Sequence, residues 1–461
     1  MKATSHSTPA ARRNPWWIPP FLGRVPDIEP RLITLLGVVS LALLFENYDL
    51  SLLGAALKDV AEDLQIPENH LGFFSSAIRL GALPAFLIIP LTDRIGRRRM
   101  FLVAVVALGL GTCLTAFTQT EMQFLVVQIL TRAAMLVAAA LAFVILAEEL
   151  PAAHRGWGFG MLAAISAVGH GVGAALFALV EVLPFGWRAL YAIGVAPVLL
   201  LPLLRREIPE TERFVRHRAK REQAGEQSGW FEPMRMILRD RPGRAAIIIA
   251  VGALSAAGTA VVFQFIGYFV RTVHQWEPWR YSVMVIVCGA VGVLGNVAGG
   301  RMADRFGRRV VGVVMFTGFP VFAWMFFRGP GWSLPIVWIL LVLTTLASGV
   351  VARAFATELF PTEQRGTSAG AMVLAETVGA GIGLSLLSFL SAEPGDLIAV
   401  LPLVASVTLI AGLLLLLLPE TSGVELELIS EAPPLEPRPR VPLPAGEVVE
   451  SYSSSTTPIA P

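Results

Sequence analysis

Apolar runs long enough to cross a bilayer recur twelve times along the chain, over residues 32–57, 71–91, 100–118, 122–149, 157–181, 187–204, 245–270, 281–302, 310–327, 334–359, 366–391 and 396–418. A spanning helix needs about 20 mostly apolar residues, and these runs meet that length. In lipid each must satisfy its backbone groups within itself, so the pattern predicts twelve helices packed side by side, an all-α membrane protein. Residues 1–31 carry Arg12, Arg13, Arg24 and several prolines ahead of any apolar run, which reads as a cytosolic tail and not a cleavable signal peptide. Between the sixth and seventh runs, residues 205–244 hold eleven arginines and lysines and an amphipathic piece around Trp230, Phe231, Met234 and Ile237, expected to lie on the membrane face. Residues 419–461 turn proline- and serine-rich and are expected to be disordered.

The pattern is written twice. The turn Asp93-Arg94-Ile95-Gly96-Arg97-Arg98-Arg99 returns 211 positions later as Asp304-Arg305-Phe306-Gly307-Arg308-Arg309, each after the second run of its half. Three further landmarks recur in register: Glu149-Leu150-Pro151 as Glu358-Leu359-Phe360-Pro361, Arg155-Gly156 as Arg365-Gly366, and Pro209-Glu210-Thr211 as Pro419-Glu420-Thr421. The chain therefore divides into two six-helix domains, 32–204 and 245–418, joined by the connector. Placing both termini in the cytosol of a cell membrane leaves only Lys58, Arg188, Arg271, Arg280 and Arg328 in outer loops, as cytosolic retention of basic residues requires.

Composition agrees: 55% hydrophobic and 15% charged residues leave too little polar surface for a soluble core of 461 residues. Cys113 and Cys288 sit inside apolar runs and suggest neither a disulfide nor a metal. With no phosphate-cradling glycine loop, no metal-spaced His/Cys cluster and no soluble domain large enough for an ATPase, the sequence implies no enzyme, no cofactor and no nucleic-acid partner. A monomer in the bilayer is expected, moving a solute on an ion gradient.

The Asp-Arg-x-Gly-Arg-Arg turn after the second span of each half resembles the loop signature of the major facilitator superfamily, and the likeness covers roughly the whole chain. The four landmark pairs together are similar to its sugar-porter-related branch of metabolite:proton symporters. The second copy has the expected glycine four positions before the aspartate, Gly300, whereas the first has Ile89. The resemblance implies secondary active transport by alternating access. Asp93, Arg94, Gly96, Arg97, Arg98, Asp304, Arg305, Gly307 and Arg308 would then meet Glu149, Arg155, Glu358 and Arg365 as a cytosolic latch between the halves, the aspartates bonding first-turn amides of the next helix or a facing arginine. The alternative is that these arginines only fix topology.

Charged groups inside spans cost several kcal/mol unless they face a partner or water, which makes each a site candidate. They are Glu46 and Asp49 in span 1, Arg79 in span 2, Arg132 in span 4, His170 in span 5, Arg353 in span 10 and Glu376 in span 11. Glu46 and Asp49 share a helix face. In the resembling proton-coupled porters a Tyr-Asp pair on the first helix and an arginine on the fourth couple protons, which implies Asp49, after Tyr48, with Arg132 and the neighbouring Glu46. A permanent Asp49–Arg132 salt bridge without proton traffic is the competing reading.

For the solute, Phe263-Gln264-Phe265-Ile266-Gly267 resembles the family's Gln-Gln-Phe-x-Gly, keeping Gln264 but losing two hydroxyl-reading amides to Phe263 and Phe269. His170 stands where the family has a glutamine, Arg353 where it has a ring-stacking tryptophan, with Glu376 and Thr377 nearby on span 11. Guanidinium and imidazole in place of stacking and amide groups point to a carboxylate-bearing solute, gripped by Arg353 and walled by the phenylalanines. Against that stand an internal Arg353–Glu376 pair, a packing role for His170, and either role for Arg79. Three other functions remain open: sugar transport, export by proton antiport, and a non-transporting sensor. Span 5 lacks, between Gly169 and Gly173, the proline of the drug antiporters of this superfamily.

Overall fold

A computed structural model describes residues 25–26, 28–151, 154–208, 239, 241–361, 364–391, 393 and 395–422. Twelve membrane-length helices run α1 Pro30–Ala55, α2 Glu68–Ile88, α3 Arg97–Thr115, α4 Glu121–Glu149, α5 Arg155–Phe177, α6 Trp187–Glu207, α7 Pro242–Thr272, α8 Pro278–Phe306, α9 Arg308–Arg328, α10 Leu334–Glu358, α11 Arg365–Leu390 and α12 Asp396–Leu417. Each falls on one of the twelve predicted runs, and there is no strand among the described residues. The tail before Val25, the amphipathic piece of the connector, Pro209-Glu210-Thr211 and the chain after Ser422 lie outside the described residues.

Local chemistry sets the helix ends. Proline stands in the first turn of α1, α7, α8 and α10, where its missing N–H would have had no helical partner. At α4 the Thr120 hydroxyl accepts from Gln123 N at 3.3 Å, and the Gln123 side chain reaches back to Gln119 N at 2.9 Å, a reciprocal cap. Each basic turn pivots on a glycine with positive φ, +113° at Gly96 and +92° at Gly307, a conformation that a side chain would strain. Within α8, one π-helical turn at Met284–Cys288 breaks the regular ladder.

Pseudo-symmetry governs the packing. Helix α5 lies along α1, and α11 lies along α7 in the same way. Gly169 faces the Leu44 carbonyl and Gly173 faces Ser51, while Gly379 and Gly383 face the carbonyls of Ala253 and Ala257, so a Cβ at any of them would collide. These two small-xxx-small pairs let backbones close to contact, the usual device for joining helices that gain nothing from apolar burial in lipid.

The end of the bundle bearing the basic turns will be called the basic side, the opposite end the far side. On the basic side α1–α6 and α7–α12 have separate cores, one around Phe101, Leu141 and Met161, the other around Val311, Val351 and Phe355. On the far side one core serves both halves, running from Tyr48, Phe74 and Phe177 to Phe265, Tyr281 and Leu384. Bonds across the halves also lie there. Ser76 Oγ donates to Gly381 O (2.7 Å), Ser385 Oγ to Ser76 Oγ (2.8 Å) and Phe73 N to Ser388 Oγ (3.0 Å). Arg271, 8% exposed, holds Asp59 in two parallel hydrogen bonds, one of 3.0 Å, and its guanidinium stands 5.2 Å from the Phe177 ring centre. The bundle is thus sealed on the far side and parted on the basic side.

Removing the Arg271 clasp should loosen the far side. In Arg271→Ala, a single cysteine at Leu384 is expected to react with a far-side maleimide about tenfold faster, the population change that 1.4 kcal/mol produces. An unchanged rate would show that the clasp does not hold the seam.

Candidate functional site

The intramembrane charges predicted from sequence converge from six helices and both halves. Arg132 on α4 lies within electrostatic reach of Glu46 and Asp49 on α1, His170 on α5 and Arg79 on α2. Glu376 on α11 is in turn within reach of Arg79 and of Arg353 on α10. None of these acids makes a direct ion pair with an arginine of the group. The closest polar contact of Arg132 is Met135 Sδ, 3.9 Å away. The group is therefore a set of charges with no direct pair among them, and neither the Asp49–Arg132 nor the Arg353–Glu376 salt bridge exists in this conformation.

Burial separates the two acids of α1. Asp49 is 1% exposed, turned toward Thr112 of α3 and Gln128 of α4, whereas Glu46 is only half-buried. Tyr48 is committed to α6, its hydroxyl donating to Leu190 O at 2.7 Å. Gln128 and Thr112 were not picked out from sequence. The signal for Gln128 was present, since it precedes Arg132 by four positions and so shares its helix face.

His170 and Arg353 are solvent-exposed. Asn47 Nδ2 donates to Leu43 O at 3.0 Å, which leaves its Oδ1 facing His170 Nδ1 at 3.0 Å. Asn47 thereby holds the imidazole in place. Gln264 donates to Leu53 O at 3.4 Å across the halves, so its amide helps close the far side instead of standing free for a solute. Phe263 is half-buried and meets Trp338 edge-on, ring centres 5.3 Å apart.

Phe269 corrects the expected apolar wall. It is 1% exposed, packed against Phe326 and Phe327 with the latter at 4.9 Å. Six residues beyond Phe263 it points about 120° away around the helix. His274 joins this aromatic group at 5.2 Å, and burial together with the nearby Arg280 holds its imidazole below the usual histidine range.

The basic turns also differ from expectation. Arg308 pairs with Glu358, but Arg97 pairs with Glu148, not with the expected Glu149. The halves align here by 210 positions: Arg155 Nε donates to Leu150 O (3.1 Å) and Arg365 Nε to Phe360 O (3.3 Å), which places Glu148 and not Glu149 opposite Glu358. The amides of Arg308 and Arg309 donate to the Glu420 carboxylate at 2.8 and 3.0 Å, the role expected of Asp304. Asp304 itself is 75% exposed with Arg308 at 3.9 Å, and Arg305 stacks on Phe306. The side chains of Asp93 and Arg94 lie outside the described residues. Arg98 reaches the Arg205 carbonyl. All these contacts join helices of one half, so none of them bridges the halves in this conformation.

The sequence profile described as Major Facilitator Superfamily matches residues 39–383 and 282–452. A cis,cis-muconate transport protein from Acinetobacter baylyi is 27% identical over 368 residues, 76% of this chain and 86% of that protein. A putative niacin/nicotinamide transporter from Bacillus subtilis is 24% identical, covering 88% of this chain and all of its own length. Among solved structures, the inward-open xylose transporter XylE from E. coli superposes with TM-score 0.69 at 18% identity, covering 86% of this chain and 99% of that one.

Cap and charge separate in a stability test. Glu420→Ala removes an acceptor at the N-terminus of α9, about 1 kcal/mol, and should lower the thermal midpoint in detergent by about 2–4 °C. Asp304→Asn, at an exposed position, should leave that midpoint unchanged; the opposite ranking would overturn the assignment.

Proposed function

The chain belongs to the Major Facilitator Superfamily, and on that footing we propose that it carries a carboxylate-bearing metabolite into the cell together with a proton. It is a multi-pass membrane protein and a secondary transporter of small organic solutes. The two domains, 32–204 and 245–418, rock about the shared pore, and the basic side faces the cytosol, where basic residues are retained.

The observation that carries the reading is the unpaired charge group between the halves. Arg79, Arg132 and Arg353 supply three positive charges; Glu46, Asp49 and Glu376 supply three negative ones, so the ionised group is formally neutral. A single anion entering it would leave one uncompensated negative charge in a membrane interior, which is costly. One proton on Asp49 or Glu46 leaves the group at +1 and frees Arg132 from that acid. Anion and proton then enter as a neutral pair, and each raises the affinity for the other. Arg353, on the half opposite Arg132, supplies a second grip, so a bound carboxylate favours the halves drawing together. His170, held by Asn47, and Arg79 complete the polar lining, with Phe263 as the apolar contact.

Two relatives are consistent with this chemistry, since muconate and gallate each carry a carboxylate, whereas the niacin/nicotinamide relative pairs an acid with its neutral amide. Myo-inositol transporters also match, over 43% and 59% of the chain, but the replacement of amide and tryptophan positions by Phe263 and Arg353 favours an acid over a polyol. When the bundle opens to the far side, the basic turns with Glu148, Arg155, Glu358 and Arg365 would meet across the halves as the cytosolic latch.

Proteoliposome uptake tests the reading with a panel of sugars, aromatic acids and dicarboxylates, with and without a proton gradient. Arg353→Ala should abolish uptake of organic acids while the protein stays folded, and sugar uptake with no acid uptake in the wild type would refute the anion assignment. Asp49→Asn should leave any residual uptake indifferent to the gradient; gradient-driven uptake in that variant would remove Asp49 as the proton carrier.

A further inference from the structure

Around Asp49 the structure holds more polar groups than a lone carboxylate requires, and their bonding follows a pattern. The groups facing it are Glu46 and Tyr48 on its own helix, Thr112 on α3, Gln128 and Arg132 on α4, and Tyr191 on α6. Two of these are already committed elsewhere. The Tyr48 hydroxyl is spent on Leu190 O. Gln128 Nε2 donates to Thr115 Oγ1 at 3.1 Å, and Thr115 donates in turn to Gly111 O at 2.9 Å, so the amide can only be turned one way.

Three others are buried and unspent: Asp49 Oδ1, Thr112 Oγ1 and Tyr191 Oη have no hydrogen-bond partner. The Thr112 methyl rests against Gly194, which fixes how its hydroxyl is presented. A buried polar atom without a partner is costly and uncommon, so three in one neighbourhood require a reason.

The reason lies in what each group can do. Arg132 and the remaining Gln128 N–H can only donate, to a carboxylate oxygen or to the carbonyl oxygen of the acid, and neither can accept the acid's O–H. A hydroxyl donates to a carboxylate and, after rotating, accepts from a carboxylic acid. We propose that Thr112 and Tyr191 are positioning residues for Asp49, two rotatable hydroxyls that can donate to its carboxylate and accept from its acid form, while Gln128 can only donate. The proton adds to a carboxylate oxygen from water and leaves to water; the hydroxyls keep their own protons and only change direction. This inference rests on the proton-coupled reading above.

The test compares wild type, Thr112→Val, Tyr191→Phe and Thr112→Ser in proteoliposomes, with the acid taken up by the wild type as the probe. Two readouts are taken: the pH midpoint of gradient-driven uptake, and counterflow exchange at equal pH, which moves no net proton. Losing one donor to the carboxylate should move the midpoint about one unit to alkaline pH, a tenfold change in proton affinity, in both Thr112→Val and Tyr191→Phe. Thr112→Ser should restore the wild-type midpoint, and counterflow should stay within about twofold in all three. Coupled wild-type uptake with unmoved midpoints in both variants, or a Thr112→Ser that behaves like Thr112→Val, overturns the inference alone. Wild-type uptake indifferent to the gradient overturns the coupled reading and the inference with it.

Discussion

A charge in hydrocarbon is tolerable only beside water, a partner or both, and the architecture of this protein answers that constraint. Six ionisable side chains sit within spans α1, α2, α4, α10 and α11, yet they do not cancel in pairs. The twelve-helix arrangement puts them between two half-bundles that, among the described residues, share a core only toward the far side, so that the parted region can supply water. If the halves shared a core throughout, as they do around Phe177 and Tyr281, the same residues would be insupportable.

The glycine contacts explain how the arrangement can be rigid and divided at once. Gly169 and Gly173 press α5 onto α1, and Gly379 and Gly383 press α11 onto α7, backbone to backbone. These are internal joints of each half. The interfaces between halves have glycine contacts of their own, Gly72 against the Leu384 carbonyl and Gly267 against the Gly54 carbonyl, and add serine hydroxyls, an ion pair and aromatic edges, with α2 against α11 and α5 against α8.

Much of this was legible in the amino-acid order. Spans are read from hydropathy because the bilayer imposes length, and the doubled basic turns are read because Gly96 and Gly307 need an unusual backbone that only repeats for a reason. The charged positions were legible since nothing hides them among leucines. What stayed hidden depended on contacts far apart in sequence or on a shift of one residue. Glu148 and Glu149 are chemically identical, and only the backbone of the Leu150 to Arg155 loop decides which faces Arg97. Glu420 reaches the α9 amides from more than a hundred positions away, so the nearer Asp304 looked the better cap. Phe269 looked like a wall because phenylalanines cluster along α7, although the helical turn aims it at α9. Thr112 and Tyr191 passed unremarked because a threonine or tyrosine in a span is ordinarily satisfied by its own helix or by α-helical neighbours.

The far-side seam has a consequence for energetics. Its cross-half polar ties are the guanidinium clasp, the Glu68 carboxylate accepting from Gly395 N at 3.1 Å, and a few neutral hydroxyl or amide bonds, each of the last worth about 0.5–1.5 kcal/mol net. Such a seam is strong enough to favour one conformation and weak enough to be outbid by a single guest: inverting a 1:99 balance takes about 5.5 kcal/mol of preferential affinity.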